Sequence, residues 1–218
     1  MNRRQFILGL AVALPSAGHA QAPSYTGARA WTNVPSIAVL SSDSDPRLPL
    51  VHQAAEFWNR SFAELGSGFR LGPVTQINGA IPADELIALS AAVLSGAGLS
   101  PPPEGVRLSP GNIVIALSEG EFISFARRWA TIAKALVAIK TDRAYPLTLP
   151  NVARNVIAHE IGHAIGLGHN SDPAMLMCGR PAPCRPPAFT SATERYFPLT
   201  SDEKALLLTL YPADWKSR

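Results

Sequence analysis

Long apolar runs are absent from this chain after its first twenty residues. A bilayer-spanning helix needs about 20 consecutive apolar residues, so no later segment qualifies as one. Charge is also scarce, at 16% of residues, with 19 basic and 16 acidic side chains giving a net charge of +3. Arg3 and Arg4 lie in the apolar leader with no acid beside them. Without that leader the balance falls to about +1, too weak a field to attract nucleic acid or an anionic membrane. No internal repeat or charge block interrupts the remaining 198 of 218 residues, a length that fits one domain with a sizeable core. Histidine is rarer still. There are five, one of which, His19, belongs to the leader, and three of the other four fall within eleven residues.

Those eleven residues are His159-Glu160-Ile161-Gly162-His163-Ala164-Ile165-Gly166-Leu167-Gly168-His169. Histidines four apart share one face of a helix and can reach one ion. Val152, Val156, Ile157, Ile161, Ala164 and Ile165 supply the apolar surface that anchors this helix in a core. His169, six residues after His163, would rotate away on a continued helix, so a third ligand requires the helix to stop. Gly166 is placed for a sharp turn, and Gly168 adds freedom just before His169. Three neutral imidazoles leave one tetrahedral zinc position for water, as in a catalytic rather than a closed structural site. Glu160 is then the natural general base, accepting a proton from the water and passing it to the leaving group. His52 reads as a surface or packing residue.

Residues 159–169 resemble the long zinc signature of the metzincin metallopeptidases. Asp172-Pro173-Ala174-Met175-Leu176-Met177-Cys178 is similar to their methionine turn. The spacing from His169 to Met177 resembles the matrixin, or matrix-metalloprotease, type. Leu199-Thr200-Ser201-Asp202-Glu203 followed by Leu210-Tyr211 resembles that family's final helix. The resemblance implies an α+β zinc-peptidase domain: a twisted mixed sheet, a backing helix, an active-site helix and a small C-terminal subdomain. It also implies zinc ligation by His159, His163 and His169, general-base duty for Glu160, and a hydrophobic floor at Met177. Two departures stand out. Cys178 replaces the usual tyrosine, and no cysteine precedes the site to act as an inhibitory thiol. A histidine- and aspartate-rich segment for a second zinc is also missing, and the scattered acids define no oxygen cage, which leaves calcium open.

The leader, residues 1–20, reads as an export signal. Its basic start is followed by apolar Leu8–Leu14 and the small residues of Gly18-His19-Ala20. The paired arginines before Phe6 look like a twin-arginine address, which places the mature protein in the periplasm or outside the cell. No cysteine lies just after the apolar run to carry a lipid. An uncleaved anchor is the alternative, against which the run's short length argues. Cys178 and Cys184 lie six apart, and in an exported protein that suggests a disulfide.

Residues 21–218 form the expected domain, with 21–30 a loose entry segment. Ser36–Leu40 reads as a strand, and Leu48–Leu65 as a helix ended by Gly66 and Gly68. Phe69–Ile77 reads as a strand interrupted at Gly72-Pro73, and Ala83–Leu94 as a helix with Asp84 and Glu85 at its positive end. Ser95–Pro110 is a Gly-, Pro- and Ser-rich connection. Asn112–Leu117 reads as a central strand and Ala135–Ile139 as another. Phe122–Ala126 is read as the strand bordering the cleft, with a short helix over Glu121–Trp129 as the alternative. By resemblance, that edge would pair with an extended protein or peptide substrate. Pro150 suits the first turn of the active helix and Asn151 a cap, with Arg154 on its solvated side. Phe189–Pro198 reads as a recognition loop, with Tyr196 and Phe197 available for packing, and Ser201 as the cap of the last helix. Hydrolysis of internal peptide bonds follows as the expected reaction. An amidohydrolase acting on a small or cell-wall amide, or a noncatalytic binding protein on the same scaffold, are the competing readings. Natural substrate, regulation and oligomeric state are not legible.

Overall fold

The computed structural model describes residues 29–97, 100–143, 145–179, 184 and 193–218. The expected export signal, most of the loose entry segment and the first part of the expected recognition loop lie outside the described residues.

Five strands form one mixed sheet: β1 (Ile37–Ser41), β2 (Val74–Asn78), β3 (Ile113–Leu117), β4 (Phe125–Trp129) and β5 (Lys134–Ile139). Their spatial order is β2-β1-β3-β5-β4. All neighbours run parallel except β4, which lies antiparallel to β5 at one edge. A three-residue 3-10 turn, Ala130–Ile132, and left-handed Ala133 (φ 48°) make that reversal. Ile113 through Leu117 are buried throughout because both faces of the central strand are covered, which explains their unbroken apolar run.

The strand period of two divides the core. On one face Ile37, Val39, Ile113, Ile115, Leu117, Ala135, Val137 and Ile139 pack against α1 (Leu48–Glu64) and α4 (Pro150–Ala164). On the other, Leu40, Val114, Ala116, Leu136 and Ala138 meet Leu86 and Leu89 of α2 (Ala83–Leu94) and Val106 of α3 (Glu104–Leu108). The short α3 forms within the stretch read only as a connection. Helix α1 presents Val51, Ala54, Ala55, Trp58 and Phe62 to the core, the spacing of a single helical face. Its Trp58 indole donates to Ala158 O at 3.0 Å, joining α1 to α4. Arg47, 1% exposed, pairs with Asp45 at 2.7 Å and donates to Ser118 O and Lys140 O at 2.8 Å each. This fully partnered cation ties the start of α1 to the ends of β3 and β5.

Four expectations need correction. Residues 69–73 are not strand: Phe69 and Leu71 are buried, but Gly72 donates to Pro35 O at 2.9 Å, outside the ladder, and β2 begins only at Val74. Strand wins over helix at the cleft border, three residues later than read. Leu149, not Asn151, precedes the first turn of α4, with Pro150 at the start of the helix. Helix α5 (Ser201–Leu210) is capped by Thr200 instead of Ser201: Thr200 accepts from Glu203 N, and Glu203 Oε2 accepts from Thr200 N at 2.8 Å. That reciprocal pair satisfies two otherwise orphaned donors.

Candidate metal centre

Helix α4 is buried on nearly every side, from Asn151 through Ala164, because α1 and the sheet cover it together with the chain that follows. His159 and His163 project from it one turn apart. The helix closes at Ile165 and Gly166. Leu167 N donates to Gly162 O at 2.9 Å and Gly166 N to His163 O at 3.0 Å, the paired bonds of a Schellman ending. Gly166 has φ +110°, a conformation that L side chains rarely adopt. The turn brings His169 back toward the helix.

The three imidazoles converge. One ligand atom from each lies within 4.8 Å of the others, and His163 Nε2 stands 3.1 Å from His159 Nε2 and 3.0 Å from His169 Nε2. Nitrogens bonded at 2.0–2.1 Å to one tetrahedral ion stand about 3.3 Å apart, so this spacing suits a shared ion. The tautomers agree. His159 Nδ1 lies 2.8 Å from Leu176 O, and His163 Nδ1 2.8 Å from Leu167 O. Carbonyls only accept, so each Nδ1 carries the proton and each Nε2 offers a lone pair to the common point. Burial, aided by the neighbouring His169, pushes the His163 imidazole down to about 4, which keeps it in the neutral, ligating form at pH 7. His159 is buried, His163 half-buried and His169 exposed, so the cluster opens toward solvent on one side. Glu160, next to His159, is 7% exposed. The cluster is capable of holding a metal ion.

Close packing sets the floor and wall. A Cβ at Gly162 would fall 2.5 Å from Met177 Sδ and 3.0 Å from the Trp58 ring, so the fully buried Met177 lies directly against the helix between its two histidines. A Cβ at Gly179 would fall 2.6 Å from both Cβ and Cδ2 of His169. Asn170 N donates to Met177 O and Gly179 N to Asn170 O, each at 2.9 Å. The Asn170 carboxamide also donates to Glu203 Oε1 of α5 at 2.6 Å. A disulfide joins Cys178 to Cys184. His52, on α1, is exposed.

Several contributors escaped the sequence reading. Arg154 is not solvated: 4% exposed, it donates to Gln53 Oε1 at 3.0 and 3.2 Å and to Glu194 Oε2 at 2.8 Å. Asn151 and Asn155 bind the segment around Arg195–Phe197. The available signal was the unbroken spacing of four from Asn151 through Asn155 and His159 to His163, a polar line along a mostly apolar helix. The last turn of α4 is held from outside. The Trp31 indole donates to Ala164 O at 3.0 Å, and Tyr211 OH to Ile165 O at 2.9 Å. Cavities of about 350 and 260 Å³ lie elsewhere, one by Leu50 and Pro150, the other by Phe57 and Lys204. Converging donors, not volume, mark this site.

A family model described as matrixin matches residues 122–211, which contain the histidines, the methionine turn and α5. No curated protein matches the chain. Among solved structures, the chain is similar to archaemetzincin from Methanopyrus kandleri, at 15% identity over 85% of this chain and 97% of that one, with a TM-score of 0.39. It is similar to a zinc-dependent peptidase from Methanocorpusculum labreanum at 16% identity, 78% and 99% coverage and a TM-score of 0.37. Myroilysin follows at 10% identity, 85% and 87% coverage and a TM-score of 0.44. The mixed sheet, its flanking helices and the histidine cluster form a metzincin-like arrangement, within which the family match spans residues 122–211. Among the described residues, no helix is long and apolar enough to cross a membrane.

Proposed function

We propose that the protein is an exported zinc endopeptidase of matrixin type, reaching the periplasm or the exterior by a twin-arginine signal cleaved near residue 20. The observation that carries this reading is the meeting of three Nε2 atoms, from His159, His163 and His169; Glu160, next to His159 in the chain, is the residue we assign as base. Bound there, zinc would supply a Lewis acid that polarises a carbonyl and acidifies water near neutral pH. The chain's own residues do the rest. Glu160 accepts a proton from the attacking water and returns it to the departing amine. Met177 packs beneath the ligands without coordinating. Strand β4 ends the sheet, so its outer backbone can receive an extended peptide as an added strand.

The test is direct. Zinc-loaded protein should cut internal bonds in a peptide library read by mass spectrometry. Glu160→Ala should keep its zinc and lose at least ~10²-fold in turnover, whereas His163→Ala should lose zinc. Protein that binds zinc but leaves every peptide intact would refute the peptidase assignment. Near-parental turnover in Glu160→Ala would remove the proposed base.

A further inference from the structure

We propose that Asn155 is a positioning residue for the metal centre, closing a hydrogen-bonded circuit that leaves α4 one turn before His159 and returns to His159 itself. The inference rests on reading the three histidines as a metal site. Asn155 is 1% exposed. Its Oδ1 accepts from Phe197 N at 2.9 Å, and its Nδ2 donates to Arg195 O and Asn151 O, both at 2.8 Å. The backbone partners fix which end of the carboxamide is which, since N–H must meet oxygen and C=O must meet nitrogen. Asn151 Oδ1 adds a bond from Arg195 N at 3.1 Å. Two side chains of one helix thus hold Arg195 and Phe197 much as a neighbouring strand would.

The held segment continues into Pro198, whose carbonyl accepts from Leu176 N at 2.8 Å. Leu176 in turn offers its own carbonyl to His159 Nδ1, also at 2.8 Å. Leu176 is therefore gripped on both sides: Pro198 sets where it lies, and its oxygen sets where the His159 ring points. The ring is rigid, so a shift at Leu176 O becomes a shift at Nε2 on the opposite side. Metal–nitrogen bonds tolerate only about 0.2 Å. A partner behind a ligating histidine fixes both tautomer and aim, and its loss typically costs ~10–100-fold in metal affinity. Here that partner is a backbone carbonyl whose own place depends on Asn155.

Asn59 supplies the control. Its Oδ1 accepts from Leu71 N at 2.7 Å and its Nδ2 donates to Leu71 O at 3.2 Å, the same bracket of backbone by carboxamide, on α1 and outside the circuit. The full-length protein, Asn155→Leu and Asn59→Leu would each be titrated with Co²⁺, followed by visible absorbance, and with Zn²⁺ against a competing chelator. Urea unfolding would be measured in the metal-free forms. Both variants should lose stability, but only Asn155→Leu should bind Zn²⁺ ~10–100-fold more weakly and alter the Co²⁺ spectrum. Affinity within about twofold of the parent in Asn155→Leu, or equal weakening in Asn59→Leu, overturns the proposal. Should Asn155→Leu not fold, the parent answers by amide exchange: Zn²⁺ should slow exchange at Phe197 and Leu176 more than at Leu71. Equal slowing also overturns it. A parent that binds neither ion overturns the metal reading itself and this inference with it. A parent that binds both while Asn155→Leu binds as tightly overturns the circuit alone.

Discussion

Gly179→Ala tests whether the third histidine is held by shape. The added methyl would press on Cγ of His169 and lie 2.6 Å from its Cβ and Cδ2. That is about 1 Å inside the ~3.5–4.0 Å at which carbon atoms attract each other. The clash falls at the root of the side chain, where no rotation of the ring relieves it. Either the Gly179 backbone moves, which strains its bond to Asn170 O, or His169 moves outward into solvent. The exposed ring makes the second path easier. A displacement near 1 Å is about five times the tolerance of a zinc–nitrogen bond. Overpacking costs about 1–3 kcal/mol, and each 1.4 kcal/mol is about tenfold in binding. Zinc affinity should therefore fall ~10–100-fold, while the metal-free protein, in which the whole of His169 can shift outward with no metal bond to break, should lose under ~1 kcal/mol. Competition against a chelator measures the first quantity and urea unfolding the second. Gly66→Ala provides the comparison: Gly66 has φ +74° and open space around it, so alanine there strains the backbone and touches no ligand. It should cost about 1–2 kcal/mol of stability and leave affinity alone. If Gly179→Ala bound zinc within twofold of the parent, the steric argument would be wrong.

Three further outcomes are expected. Thr200→Ala removes one half of the cap on α5 and should cost about 1 kcal/mol in urea unfolding; no change would show that Glu203 alone suffices. Arg154→Met should cost about 1–2 kcal/mol through its bonds to Gln53 and its packing. Glu194→Gln should cost much less, because that carboxylate is 70% exposed and its pairing is screened; equal costs would overturn this ranking. Burial pushes the Tyr211 phenol up to about 12, against the bond it accepts from Trp31 N. The folded state thus favours the neutral phenol, so its contribution to stability is whole below about pH 10 and is lost as pH rises through about 12. Tyrosinate absorbance should rise near pH 12 with smaller amplitude in Tyr211→Phe, and the alkaline fall in urea midpoint should be shallower in that variant.

What could be read in advance follows a physical boundary. Helix α2 matched its expected span because Asp84 and Glu85 at its start and its apolar face are local features. The histidine spacing and Gly166 were equally local, since helix geometry and one positive φ decide them. Residues 69–73 carry the apolar pattern of a strand for another reason: Phe69 stacks on Tyr211 at 4.0 Å, so it is buried by a residue over a hundred positions away. Arg154 is the opposite case. A charge in the first turns of an amphipathic helix suggests solvent, but α4 is covered on nearly every side, and Glu194 reaches Arg154 from forty residues downstream. Asn155 stands in the visible spacing of four that ends at His163, but its partners, Arg195 and Phe197, lie forty residues downstream. The side chains that surround the histidines are recognised only once the segment from Glu194 to Tyr211 has returned to them.

That return has a temporal meaning. The carbonyls closing α4 at Ala164 and Ile165 take their partners from Trp31, near the front of the described chain, and from Tyr211, 180 residues later. A nascent chain on the ribosome that has made His169 but not Tyr211 carries every imidazole and lacks the latch that finishes the turn between them. A chain cut short before that tyrosine would keep all three histidines but lose the hydroxyl that caps Ile165 O at the turn between His163 and His169.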